Sequence, residues 1–229
     1  MAGAPDSFTF KVVSSYESDQ AFAFHQKALS SSSSKSYLWP RDSDEIKRFS
    51  ERNELFGVWR SLTRRLVAIC YVTLHQTEWQ LGGVAVERGV QRNGIGTVLV
   101  RYALAHTIAY HRPWRDRQTI ATIVHEHNQD PRPLLETLGF EHDGRLEYDE
   151  VTTPANIERN RSGKVMGDRF IFPQRAVRGL YEWFTNFDGN LGRDGALAAF
   201  SIPEGDVVNI SMALKECLDE SLSMKSFLK

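Results

Sequence analysis

The stretch Gln91-Arg92-Asn93-Gly94-Ile95-Gly96-Thr97 places two glycines two residues apart beside an arginine, where one periodicity gives way to another. Upstream, Trp79 to Val86 reads as a strand; downstream, Ile95, Val98, Leu99, Tyr102, His106 and Ala109 recur at helical spacing. A loop of this kind at a helix start offers unpaired backbone N–H groups and the positive end of the helix dipole, which together bind an anion. Glycines let such a group approach the backbone closely, and Arg92 adds a charge that no pKa shift removes. A Walker loop needs Lys-Ser or Lys-Thr after its second glycine, and Ile95-Gly96-Thr97 follows Gly94 instead. A Rossmann turn needs a third glycine where Leu99 stands, and the preceding strands read as antiparallel. Taken alone, the two glycines also fit a plain strand-to-helix turn. A second group of interest is His125-Glu126-His127, just before Asn128. Strand alternation puts His125 and His127 on one face, and an imidazole titrates where an amine must be deprotonated. A solvated strand end or a structural hydrogen bond is the commoner use of such a pair. No third ligand lies at zinc spacing, which argues against a metal site.

The elements that must position these residues follow from pattern and punctuation. Phe8 to Val13 alternates as a first strand, and Asp19 precedes a helix whose apolar side includes Ala21, Phe22, Phe24 and Ala28. Ser30 to Ser34 is a serine run expected to be a loop, and Ser43 begins a short helix with Asp44 and Glu45 in its first turn. Leu55–Trp59, Leu66–Leu74 and Trp79–Val86 are joined by hairpin-length links, which predicts an antiparallel meander. Pro113 ends the helix that begins after Gly94, and Thr119 to Val124 is a further strand. Pro131 to Leu138 is a short helix closed by Gly139. Phe140 onward and Arg169 to Phe172 read as last strands, separated by the polar stretch Thr152 to Gly163. From Pro173 the chain reads as a helical extension. One stripe holds Val177, Leu180, Tyr181 and Phe184; a second holds Val207, Ile210, Leu214, Cys217 and Leu218. Asp188 to Gly195 between them lacks the acidic spacing of a calcium loop and reads as a turn.

The order strand, Gln-x-x-Gly-x-Gly, amphipathic helix, strand, Asn, short helix, Gly-Phe resembles the core of the GNAT superfamily of acyl-CoA-dependent N-acyltransferases. Gln91, Gly94 and Gly96 match its loop; Asn128, Pro131, Leu134, Leu135 and Gly139-Phe140 match its later pattern. The resemblance covers about Phe8 to Phe172 and is strongest from Trp79 to Phe140. It implies an α/β (α+β) fold: a mixed, mostly antiparallel sheet flanked by helices, with two central strands splayed around the pantetheine arm of acetyl-CoA. It implies further that backbone groups of Val84 and Val86 pair with that arm, that N–H groups of Arg92, Asn93, Gly94, Ile95, Gly96 and Thr97 hold the pyrophosphate, and that Asn128 contacts the arm from the neighbouring strand. Residues 1–172 form the expected acyltransferase domain and 173–229 a C-terminal helical extension.

Three helper positions of the family depart from its pattern. Its strand glutamate is Gln80 here, its tyrosine after the helix leucine is Leu135, and its occasional carboxylate before the asparagine is Ile123. A CoA thiolate leaves without help, so the second loss slows chemistry rather than forbidding it. Glu78, on the same strand face as Gln80, is then a candidate base acting through water, and His125 is another; His75 and Glu87 are placed less well. Tyr37 and Trp39 are candidates for an acceptor pocket, although core packing is the commoner use of aromatics.

The 229 residues carry a formal net charge of -1, so no global basic field holds nucleic acid. Arg88, Arg92, Arg101, Arg112, Arg115 and Arg117 fall close together, which suits a phosphorylated cofactor better than a long polyanion. There is no bilayer-length apolar run and no basic-then-apolar start, and the two cysteines read as buried thiols, so a cytoplasmic protein is expected. The expected activity is acetyl transfer to a primary amine of a small molecule or peptide, without metal or membrane. The competing expectation is an inactive CoA-binding protein, motivated by Gln80, Ile123 and Leu135. The C-terminal stripes are expected to form a homodimer interface or to cap the acceptor cleft.

Overall fold

The computed structural model describes residues 6–31, 37–128, 130–148, 157, 159–187, 190–191 and 198–226. Strand β1 (Ser7–Val12) buries Phe8 and Phe10 completely. A turn of 3₁₀ helix leads to α1 (Ser18–Ser31), followed by α2 (Ser43–Glu51). The start of α2 is locally encoded. The Asp42 carboxylate accepts from the Glu45 N–H at 2.8 Å, and the Glu45 carboxylate accepts from the Asp42 N–H at 3.2 Å, a reciprocal cap. β2 (Leu55–Arg60), β3 (Arg65–His75) and β4 (Glu78–Val86) form the expected antiparallel meander. α3 (Ile95–His111) ends at Arg112 in the left-handed region, with Pro113 after it. β5 (Thr119–His125) and α4 (Arg132–Thr137) follow, and Gly139 at φ +87° closes α4. β6 (Glu141–Glu147), β7 (Met166–Ile171), α5 (Val177–Thr185), β8 (Asn190–Leu191), β9 (Ala198–Ser201) and α6 (Glu204–Ser226) complete the described chain. Of the expected serine loop, Ser30 and Ser31 belong to α1 and 32–36 lie outside the described residues, as do residues 152–156 and 158 of the polar stretch Thr152–Gly163.

The sheet runs β6-β7-β5-β4-β3-β2-β1-β9-β8, and only the β4–β5 and β1–β9 pairs are parallel. Both of its faces are covered, which is why β3 is a nearly unbroken apolar run rather than an alternating one. Ala68, Cys70 and Val72 join Phe56, Val58 and the α3 residues Val98, Leu99 and Tyr102 in one core cluster. Leu66, Ile69 and Tyr71 join Leu55, Trp59 and the α1–α2 residues Ala21, Ile46 and Phe49 in another. The glycine loop with α3, and the α1–α2 pair, therefore serve opposite faces of one sheet.

The C-terminal region holds the expected helices, α5 and α6, and adds two short strands to them. β9 hydrogen-bonds to β1, and Asn190–Leu191, the described part of the Asp188–Gly195 stretch expected as a turn, forms β8, the rest of that stretch lying outside the described residues; the extension therefore adds strands to the sheet. α6 packs on α3 and α5, burying Ile210, Leu214 and Cys217 in the α3 cluster. The stripe read as a dimer face or a cleft cap is thus used within the chain, and one core runs across Pro173. Tyr102 donates to the Asp206 carboxylate at 2.6 Å and ties α6 to α3.

Candidate active site

β4 and β5 pair only where Glu78, Trp79 and Gln80 face Thr119, Ile120 and Ala121. Beyond that point both strands continue, to Val86 and His125, without pairing. The gap opens a cleft of about 1080 Å³ lined by Leu81–Val86 on one side and Thr122–His125 on the other. The inner edge of β4 there has no strand partner, so its backbone donors and acceptors are available to an extended ligand.

A bulge shapes this edge. Ile69 faces Ala85 and Tyr71 faces Gly82, so Gly83 and Val84 together oppose Cys70. Gly83 has φ +61°, and a Cβ there would stand 2.0 Å from Tyr71 Cε1. Only glycine combines that conformation with that contact. The same ring lies 2.7 Å from the Cβ position of Gly82, so Tyr71 of β3 covers both glycines at the bulge. Val84 is left 41% exposed on the wall of the cleft.

At the head of the gap a 3₁₀ turn at Arg88–Val90 leads into the glycine loop. Gly94 holds φ +78° at the N-cap of α3 and provides no side-chain cap, so the first-turn N–H groups of α3 are open to an anion. Gln91 Nε2 donates to the Val86 carbonyl at 2.9 Å and braces the loop on β4. A Cβ on Gly96 would touch only Val86 Cγ2, at 3.5 Å, so glycine here keeps approach open rather than relieving a clash. Val84, Val86, Gln91, Gly96 and Asn128 all line the cleft. Arg92, Asn93 and Gly94 are exposed on the loop above it, Thr97 lies in the first turn of α3, and Ile95 is buried and contributes backbone alone. Arg88 and Arg92 have no ion pair among the described residues.

His125 ends β5, is 7% exposed and lines the cleft. Its ring packs on Tyr37 with centroids 4.9 Å apart, and its Nδ1 accepts from the His127 N–H at 3.2 Å. That bond places the proton of the neutral ring on Nε2. Glu78 takes a different place from the one expected. It stands at the paired end of β4, bound by Arg169, by Gln80 Nε2 at 3.1 Å and by Thr119 Oγ1 at 3.4 Å, and it does not line the cleft. Glu78 is thus engaged away from the cleft, with no described path to an amine bound there, which argues against the expectation for Glu78. Glu87 lines the cleft; burial alone would raise its pKa, but Lys27 at 3.2 Å and Arg65 outweigh it and hold the carboxyl below its ordinary range. His75 is bonded to Thr73 at 3.0 Å, and burial lowers its pKa.

Tyr71, Arg41 and Tyr148, not singled out in the sequence, pack behind the gap without lining the cleft. Tyr148 packs against Gly167 of β7 and, with centroids 5.2 Å apart, against Trp39. Arg41 Nε donates to the Tyr71 hydroxyl at 3.3 Å, and its Nη1 to Glu45 at 2.9 Å. The one local signal was Gly82-Gly83 inside a strand, a mark of a bulge or a close approach.

Residues 20–140 match the model of the Acetyltransferase (GNAT) family. No curated protein matches the chain. Among solved structures, the ribosomal-protein-S18-alanine N-acetyltransferase of Escherichia coli is similar at 18% identity and TM-score 0.50, over 72% of this chain and 93% of that one. A GNAT-family acetyltransferase of Streptococcus pneumoniae is similar at 16% and 0.51, over 72% and 99%. The diaminobutyrate acetyltransferase of Paenibacillus lautus, solved with L-2,4-diaminobutyric acid and coenzyme A, is similar at 12% and 0.54, over 73% and 96%. At such identities these likenesses speak for the fold.

Proposed function

Because the chain belongs to the GNAT acetyltransferase family, we propose that it transfers an acetyl group from acetyl-CoA directly to a primary amine on a small molecule or peptide. The observation that carries this reading is the unpaired stretch of β4 and β5 with the uncapped start of α3 above it. The residues fit the donor. Backbone groups of Val84 and Val86 would hold the pantetheine arm, the N–H groups from Arg92 to Thr97 the pyrophosphate, and Asn128 the arm from the β5 side. Acetyl-CoA supplies a thioester carbonyl whose thiolate leaves unaided, which makes Leu135 tolerable where an acid would otherwise stand.

The rest is work for the protein. The acceptor amine must arrive neutral, and His125 is the titratable group that lines the gap on β5. Its basic nitrogen is Nδ1, so proton uptake replaces the 3.2 Å bond from His127. The acceptor reaches the gap from the α1–α2 face, where Tyr37 and Leu38 contribute to the lining. The acceptors named for two structural neighbours, ribosomal-protein-S18 alanine and L-2,4-diaminobutyric acid, both carry amines and support this class. The second reading, a CoA-binding protein without turnover, is favoured by Gln80, whose amide is spent on Glu78, and by the buried Leu135.

Calorimetry with acetyl-CoA tests the donor site: micromolar binding is expected, abolished in Gly96→Trp. Absence of binding by the unaltered chain would reduce the loop to a turn. Thiol release with an amine panel then separates the two readings, since any acceptor-dependent turnover excludes the inactive one.

A further inference from the structure

A second cavity, of about 540 Å³, lies at the opposite end of α3 from the glycine loop, where α3 meets α6. Its floor is apolar, made by Ile108, Trp114 and Cys217, whose thiol burial keeps neutral. Its rim is cationic. Arg112, Arg115 and Arg117 stand around it, and Glu220 is the one carboxylate among the described lining residues.

Part of this charge is already engaged. Arg115 is held by Glu220 through both Nε and Nη2. Arg112 donates from Nη2 to Glu216 at 2.7 Å and from Nε to the Ala109 carbonyl at 3.2 Å. Arg112 Nη1 is buried with no hydrogen-bond partner among the described residues. The Arg117 guanidinium has none there either. A buried unsatisfied donor is costly, and a charged one more so. The volume and the apolar floor with few polar groups match small-molecule sites in general.

We propose that this cavity binds a small organic monocarboxylate, its apolar or aromatic body on Trp114 and its carboxylate on Arg112 and Arg117. The part-exposed Arg112 and the exposed Arg117 over an apolar floor suit one carboxylate better than a polyphosphate, and the excess of guanidiniums over carboxylates in the lining disfavours a cation. The site joins α3 of the family core to α6 beyond residues 20–140, so its occupant stabilises the docking of α6. It does not depend on the acetyl-transfer reading.

The test is calorimetry on the full chain with 4-phenylbutyrate, against 4-phenylbutylamine as a probe of the same body and opposite charge. Saturable binding of the carboxylate at about millimolar or tighter is expected. It should exceed that of the amine by roughly tenfold, persist in saturating CoA, and weaken about tenfold in Arg117→Gln. A tryptophan fluorescence change on binding should vanish in Trp114→Phe. Arg117 is exposed, so an unchanged melting temperature without probe shows that its variant is folded. Equal binding of the two probes, insensitivity to Arg117→Gln, displacement by CoA, or no saturable binding at about 10 mM would each overturn the proposal.

Discussion

At the scale of single residues, the chemistry turns on which side chain takes the amine proton. Gln80 cannot, Ile123 and Leu135 are apolar, and Glu78 is committed to Arg169. His125 remains, facing the gap at the end of β5. His125→Gln should lower kcat by about 10²-fold or more, with acetyl-CoA affinity unchanged within error, read by thiol release and calorimetry. A proportional loss of cofactor binding would instead make His125 a structural support for the cleft wall. Glu78→Gln provides the contrast. It removes the charge opposite Arg169, which keeps Asp143. It should cost roughly 1 kcal/mol of stability, because the pair is only partly buried, and leave turnover intact. A kcat loss as large as that of His125→Gln would restore Glu78 as the base. The histidine was visible in the sequence because strand alternation and the adjacent Asn128 are local signals. The fate of Glu78 was not, because Arg169 comes from β7, 91 residues away in the chain.

At the scale of elements, the bulge in β4 decides whether the gap is correctly shaped. Gly83→Ala would combine a strained positive φ with a Cβ 2.0 Å from the Tyr71 ring. Strain and overpacking together should cost about 3 kcal/mol or more, read as a fall in the denaturation midpoint. Gly94→Ala has φ +78° but nothing within 4 Å, so it should cost only the roughly 1–2 kcal/mol of the left-handed conformation. Equal losses at the two glycines would mean that Tyr71 does not press on the bulge. The same contrast shows what a sequence can reveal about elements. The meander, α3 and α4 were legible because turn chemistry and period are written within a dozen residues. Gly94 was legible as a loop residue for the same reason. The reason for Gly83 was not, because it lies in a tyrosine on another strand. Nor was the pairing of β9 with β1: four residues, Ala198–Ser201, are too few to show a period, and their partner lies at the other end of the chain. The apolar stripe of α6 was read correctly as a stripe, yet nothing local says what covers it. Asp206→Ala tests the cover that was found. It would leave the Tyr102 hydroxyl buried without an acceptor and should cost about 1–3 kcal/mol in unfolding experiments.

At the scale of the whole molecule, two buried groups couple folding to pH with opposite signs. His106 is 5% exposed among Phe56, Tyr102 and Tyr110. Burial first, and then the charge of His111, lowers its pKa to about 4. Glu54 is also 5% exposed, and burial raises its pKa to about 7 despite Arg52, Arg48 and a backbone bond from Leu74. For His106 the unfolded chain binds more protons between about 4 and the ordinary 6.5, so stability present above 6.5 is lost as pH falls through that window. For Glu54 the folded chain binds more, so stability present below the ordinary 4.5 is lost as pH rises toward about 7. Each linkage is worth at most on the order of 3 kcal/mol, and across the shared window the two nearly cancel. Single variants expose them, because the variant-minus-parent difference removes every other titrating group. Relative to the parent, His106→Leu should become steadily less stable as pH rises from 4.5 to 6.5. Glu54→Gln should gain stability relative to the parent over its own window and exceed it at neutral pH, where the buried carboxylate is half charged and the amide is not. Thermal unfolding of the three chains from pH 4 to 8 measures both slopes. Parallel curves would show that neither group pays for its burial in protons, and the hydrophobic walls around both would then have to admit water.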